Sequence, residues 1–169
     1  VAHAITSEHI QLAKSSSIPI LFTGQIQNNV NCYALDDYAI GKAIADYVNT
    51  LNHKSILLLS VSESDVAVGV NRKQGIIDNV DTPVRTLITG FRHEDAYHVM
   101  QEESDTIEFD LVIGATDNIA IGAMRYLKER NILIPDEVKV VGIGDYDINS
   151  VITPALTTLN IDYFAFGIK

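Results

Sequence analysis

An α/β fold of doubly wound parallel sheets, arranged as two lobes, is the class this sequence predicts, and three observations carry it. Short runs of Val, Ile and Leu recur at residues 18–22, 56–59, 84–88, 111–113 and 138–143, each the length of a strand buried on both faces. Most of the intervals between them have the spacing of amphipathic helices, and strands alternating with helices build a parallel sheet. Two polar or broken stretches, at residues 25–35 and 149–158, interrupt the alternation where a chain would cross from one sheet to another.

The elements follow in order. A short helix is expected over residues 7–14, then the strand at 18–22. The segment 25–35 holds Gln25, Gln27, Asn28, Asn29 and Asn31 and reads as the first crossing. The clearest helix spans 37–51, where Ile40, Ala43, Ile44, Tyr47, Val48 and Leu51 fall at i, i+3, i+4 and i+7. Asp36 or Asp37 can cap its start and Asn52 can end it in a left-handed turn. Strand 56–59 follows, then a helix over 69–79, strand 84–88, a helix over 93–103, strand 111–113, a helix over 118–130, and strand 138–143. Pro154 breaks the second crossing.

Composition narrows the function. With 22 acidic against 12 basic residues the formal charge is −10, and the densest basic stretch, residues 128–130, is interrupted by Glu129. A surface that grips nucleic acid needs clustered Lys and Arg to displace phosphate counterions, so this segment does not hold DNA by itself. No apolar run approaches the ~20 residues of a membrane span, and no secretory signal is visible at the start. The chain opens on Val1 rather than methionine, which leaves room for an upstream segment. Cys32 is the single cysteine, so an internal disulfide and a thiolate metal cluster are excluded, in keeping with a reducing, cytoplasmic location.

Ligands of open α/β sheets bind beyond the carboxyl ends of the strands. That rule selects the loops 60–65, 89–92, 114–118 and 144–147, which carry Asp65, Phe91, Arg92, Thr116, Asp117, Asn118, Asp145, Tyr146 and Asp147. Carboxylates, amides and guanidinium groups satisfy the vicinal hydroxyls of a sugar, while an aromatic ring covers its C–H face. Each residue also has a plain structural explanation. Asp117 or Asn118 can cap a helix, Asp145 and Asp147 can be turn residues, and Tyr146 and Phe91 can be lip or core. Arg72 can be a solvated surface arginine, and His53 can cap the end of the 37–51 helix. A second class is also open, since Asp117 and Asp145 at neighbouring strand ends could hold Mg²⁺ in a phosphoryl-transfer enzyme. The sequence has no GxxxxGKS or GxxxxGKT, GxGxxG, GxSxG or HExxH motif. No catalytic residue, metal ligand or cofactor is therefore assigned.

Four strings, read together, carry a resemblance. Residues 111–125 (LVIGATDNIAIGAMR) form a strand, a Thr-Asp turn and an Ala/Gly-rich helix. Residues 133–142 (LIPDEVKVVG) form a connector into a strand, 153–159 (TPALTTL) a return strand, and 37–54 a helix ending in His53-Lys54. In order and spacing, over about 130 residues, they resemble the effector domain of the LacI/GalR transcriptional repressors. The resemblance implies a type I periplasmic-binding-protein-like fold of two lobes with three crossovers, an effector in the cleft, and a homodimer. It implies a C-lobe at 36–152 and parts of an incomplete N-lobe at 1–35 and 153–169. Operator DNA would be bound through an N-terminal helix-turn-helix absent from this chain.

The same resemblance places the family's ligand-binding arginine on Arg72, three residues before Gly75, and the effector-facing polar turn residue on Thr116, beside Asp117. The family's clamping aspartate falls on Gly144, a departure, with Asp145 next to it as a substitute. Dimer-packing positions fall on Ile121 and on residues 148–152, with Ile148 and Ile152 the apolar ends. Segments 64–72 and 114–117 are most similar to trehalose- and sucrose-type repressors, which sense the disaccharide, its 6-phosphate or a derived hexose. A phosphorylated effector would be anchored by Arg72, by Arg92 or by the helix N-terminus at Gly69. Replacing Arg72 by Ala is expected to weaken effector binding and leave the fold intact. A sugar-binding protein of a transporter, built on the same fold, is the alternative, and the Mg²⁺ enzyme the third.

Overall fold

Strand formation in this chain follows two-sided burial. In the computed structural model, which describes residues 5–103 and 108–168, every residue of β3 (Ile56–Val61) and β5 (Leu111–Gly114) is buried. These two central strands sit between β4 (Val84–Thr89) on one side and β6 (Lys139–Gly144) and β7 (Thr157–Asn160) on the other, in the order β4-β3-β5-β6-β7. All four pairings are parallel, which requires a crossover between each pair and covers both faces. A second, two-stranded parallel ladder joins β1 (Phe22–Thr23) to β2 (Cys32–Tyr33).

Alternate side chains of β3 feed two cores. Ile56 and Leu58 pack with Ile113, Val141, Ile143 and Ile76 beneath Ile44 and Val48 of helix α2 (Asp37–Asn49). Leu57 and Leu59 pack with Val112 beneath Met100 of α4 (His93–Glu103) and Ile119 and Leu127 of α5 (Asp117–Glu129). Helix starts are set by short polar side chains. Thr6 and His9 form a reciprocal capping box on α1 (Ser7–Ser15). The Asp36 carboxylate accepts the Ala39 N–H of α2 at 2.9 Å, and Thr116 caps α5 by accepting from Ile119.

Several elements depart from the sequence expectation. Of residues 18–22 only Phe22 enters a strand. Pro19 offers no N–H to a ladder, and Ile18 is 71% exposed, so the run lacks the burial that makes an apolar segment a strand. The helix expected at 69–79 is a π-helix, Val66–Arg72, followed by α3 (Lys73–Ile77). The cap of α5 is Thr116 rather than Asp117 or Asn118. Helix α2 stops on Thr50 in right-handed geometry, and Asn52 takes no left-handed turn. The return strand β7 pairs with β6, so the five-stranded sheet runs past residue 152, the expected lobe boundary. A 3-10 helix, Asp147–Ser150, and α6 (Tyr163–Ile168) complete the described chain. Residues 1–4 and 169 of the expected N-lobe parts lie outside the described residues.

The crossing of α2 with the π-helix and α3 sets the position of Arg72, and it depends on two glycines. A Cβ on Gly41 would lie 2.2 Å from the Arg72 carbonyl oxygen, and one on Gly75 would lie 2.2 Å from that of Tyr38. Backbone meets backbone there, with no flexible side chain to yield. Gly41→Ala should therefore destabilise the fold by roughly 1–3 kcal/mol through overpacking, read as a lowered urea midpoint at unchanged m-value.

Candidate functional site

The carboxyl ends of β3, β5 and β6 share one rim of the sheet, and the polar residues expected to bind an effector sit at or beneath it. Arg72, the last residue of the π-helix, is 4% exposed. Its Nε and Nη2 donate to Asp37 Oδ1 at 2.9 and 2.5 Å, and Nη1 donates to the Ala115 carbonyl oxygen at 2.7 Å. One guanidinium thus ties the first residue of α2 to the loop after β5. Charge-assisted bonds of this kind are short and directional.

Asp117 is 0% exposed. Its Oδ2 accepts from the Tyr146 N–H at 2.9 Å and the Asn149 amide at 2.7 Å, and its Oδ1 accepts the Thr158 hydroxyl at 2.5 Å. The carboxylate therefore gathers the turn after β6, the 3-10 helix and β7 onto the start of α5. Its lone pairs are engaged by neutral donors, which removes it as a free carboxylate for Mg²⁺. Among the described residues no group of three or more His, Cys, Asp or Glu side chains is placed to hold a metal ion.

The turn after β6 departs from the family pattern for a visible reason. Gly144 adopts φ +140° and Asp145 φ +58°. A Cβ at residue 144 would lie 2.8 Å from Tyr146 Cε1 and 3.1 Å from Asp117 Oδ2. The Tyr146 ring occupies the space that a side chain at residue 144 would take. Asp145 is turned aside: its Oδ2 accepts from the Asn160 amide at 2.6 Å and its N–H donates to Thr158.

Tyr163, the first residue of α6, is about half-buried. Burial raises its phenol above the ordinary tyrosine value; the fields of Tyr146, Asp117 and Asp37 add to this and Arg72 opposes it. All five side chains thus share one electrostatic neighbourhood. Beside it a cavity of about 100 Å³ lies between the chain around β1 and β2 and the π-helix, lined among others by Gln25, Gln27, Asp37 and Asn71. Small-molecule sites run from about 300 Å³ upward, so this cavity by itself is too small to enclose a sugar.

Of the residues selected from sequence, Arg72, Thr116, Asp117, Asp145 and Tyr146 converge on this rim. Thr116 is buried and serves as a cap. Asp65 caps the π-helix, accepting from Val68 at 2.8 Å. Phe91 is exposed beyond the edge strand β4 and does not line the cavity. His53 lies with Nδ1 2.9 Å from the Leu51 carbonyl oxygen, a local contact at the end of α2. Sequence reasoning treated Asp37 only as a cap, Gln25 and Gln27 only as a crossing, and passed over Asn71 and Tyr163. The glutamine-rich crossing was the one visible signal among them.

A separate apolar groove of about 410 Å³ runs along α5, lined by Ile121, Met124 and Ile152 and walled by Arg125, Lys128 and Glu129. Ile148 is exposed on the 3-10 helix, outside that groove.

Comparison with known proteins agrees with this architecture. Residues 45–168 match the periplasmic binding protein-like domain family. The sucrose operon repressor of Staphylococcus xylosus is 27% identical over 167 residues, covering 96% of this chain and 52% of that protein. The HTH-type transcriptional regulator TreR of Escherichia coli K12 is 26% identical over 140 residues, covering 80% of this chain and 42% of that protein. The chain spans about half the length of the curated relatives it matches. Among solved structures, a LacI family regulator from Enterococcus faecalis V583 with bound ribose superposes with TM-score 0.87 at 21% identity, covering 96% of this chain and 61% of that one. The Escherichia coli repressor ascG superposes with TM-score 0.81 at 20% identity, covering 98% and 64%.

The buried pairing overturns the expectation that Arg72→Ala would spare the fold. Removing the guanidinium leaves Asp37 as an uncompensated charge in a buried position, and breaking such a pair from one side costs about 3–5 kcal/mol. Chemical denaturation of Arg72→Ala should show a loss of that size, and the double change Asp37→Asn with Arg72→Met should recover a good part of it.

Proposed function

Since this chain belongs to the periplasmic binding protein-like domain family, we propose that it is the effector-sensing core of a sugar-responsive transcriptional repressor of the LacI/GalR type. One observation carries this reading. A buried arginine, fixed by Asp37 and the Ala115 carbonyl, stands at the rim of the sheet beside a polar cavity between two parts of the chain. The relatives that match are regulators rather than enzymes or transporter components, which favours a sensor over catalysis or uptake.

In this reading the effector sits between the lobes, the larger formed around the five-stranded sheet and the smaller around β1 and β2. Arg72 and Asp37 would take hydroxyl oxygens and hydroxyl protons, Gln25, Gln27 and Asn71 would bond from the other wall, and Tyr146 and Tyr163 would cover C–H faces. Thr116, Asp117 and Asp145 would hold the rim in shape rather than touch the ligand. Binding that is tighter in the closed form would shift the angle between lobes. A helix-turn-helix elsewhere in the full protein would carry that shift to operator DNA, in the cytoplasm where the DNA is. No helix among the described residues is long and apolar enough to cross a membrane. The effector class proposed is a sugar of the sucrose or trehalose type.

Isothermal titration of the full-length protein with sucrose, trehalose, fructose and ribose should give micromolar binding of one sugar, and that sugar should change affinity for operator DNA. Silence for all four, together with a Mg²⁺ response, would replace the sensor by the enzyme reading. The groove along α5 is proposed as the homodimer contact, with Ile121 and Ile152 at its centre and Ile148 at its margin. Ile121→Asp should convert the dimer to monomer in sedimentation velocity while the far-ultraviolet circular dichroism stays unchanged.

A further inference from the structure

The cations on the rim, and what each is bound to, decide what charge an effector can carry. Three cationic side chains lie on the segments that follow β3 and β4: Arg72, Lys73 and Arg92. Each already has a carboxylate. Arg72 holds Asp37, Lys73 Nζ lies 2.6 Å from Glu63, and Arg92 Nε lies 3.3 Å from Glu94. The loops directly after β5, β6 and β7, residues 115–118, 145–147 and 161–162, add Asp117, Asp145, Asp147 and Asp162 and no cation; Arg125, Lys128 and Arg130 lie farther along and beyond α5. Asp117 is buried with neutral donors only. The π-helix N-terminus near Gly69 is taken by the Asp65 carboxylate, and the Val61 and Ser62 carbonyls crowd Gly69 itself. The three cationic side chains and the π-helix N-terminus, the anchors a phosphate would seek, are therefore each already paired with an acid.

The groups left open suit hydroxyls instead. A guanidinium has five N–H donors; three of those on Arg72 are engaged, leaving two. Asp37 lines the cavity, and its Oδ2 takes no hydrogen bond from the described residues. Two free donors beside one free carboxylate oxygen match a hydroxyl that accepts and donates at once. The same carboxylate oxygen repels a phosphate oxygen, and the low dielectric of the rim makes that repulsion strong.

We infer that the effector is an uncharged sugar and that the site discriminates against its phosphate ester. The inference rests on the sugar-sensing reading given above and narrows it to one ligand class. The test is titration of the full-length protein with matched pairs: sucrose and sucrose 6-phosphate, trehalose and trehalose 6-phosphate, fructose and fructose 6-phosphate. It is run at about pH 7.5, where a phosphate monoester carries nearly two negative charges. The expected result is binding of one neutral sugar, with its ester weaker by roughly tenfold or more, and a neutral-sugar affinity that does not change from low to high salt. An ester that binds as tightly as its neutral partner, or tighter, overturns the inference and leaves the sugar sensor standing. Absence of binding by all six and by ribose, with a Mg²⁺ response, overturns the sensor reading and the inference with it.

Discussion

The arrangement of the rim depends on the buried pair between Asp37 and Arg72. A guanidinium that is 4% exposed cannot remain charged without compensation, and Asp37 supplies it at 2.5 Å. Because Asp37 begins α2 and Arg72 ends the π-helix, the pair fixes two covering elements against one another. The third bond, to the Ala115 carbonyl, fixes both to the end of β5. The glycines at 41 and 75 let the backbones approach closely enough for those bonds to form. Helix crossing, ion pair and strand end are thus one mechanical unit. A ligand engaging the free N–H groups of Arg72 would pull on all three.

Asp117 organises the other half of the rim by a different means. It has no cation, and three neutral donors from separate stretches of chain converge on its carboxylate. Such a network is costly when incomplete and specifying when complete. It forces the sharp turn at Gly144 and Asp145, seats the Tyr146 ring above Gly144, and docks β7 onto β6. The aspartate expected to touch an effector also gives the turn its shape. The net result is a rim with more acid than base.

Much of the fold was legible before any coordinates. The strands at 56–59, 84–88, 111–113 and 138–143 were visible because central parallel strands are apolar on both faces, and each forms within about two residues of its expected bounds. The helix at 93–103 forms over those same residues. The run at 18–22 misled because composition alone cannot distinguish a buried apolar run from an exposed one carrying a proline. The π-helix at Val66–Arg72 was invisible because its spacing lies close enough to that of an α-helix to be read as one.

For the site, the sequence determined which residue types stand at the carboxyl ends of the strands, and resemblance singled out Arg72 among them. Both statements follow from local facts, strand period and motif order, that tertiary contacts do not alter. Only the tertiary structure decided which charges are compensated. Asp37 and Arg72 are 35 residues apart and Asp117 and Thr158 are 41 apart, separations at which sequence carries no signal of contact. Whether a carboxylate is free to hold a ligand or is engaged in holding the protein depends on those pairings. They form only when helices and strands distant in the chain pack at the same rim.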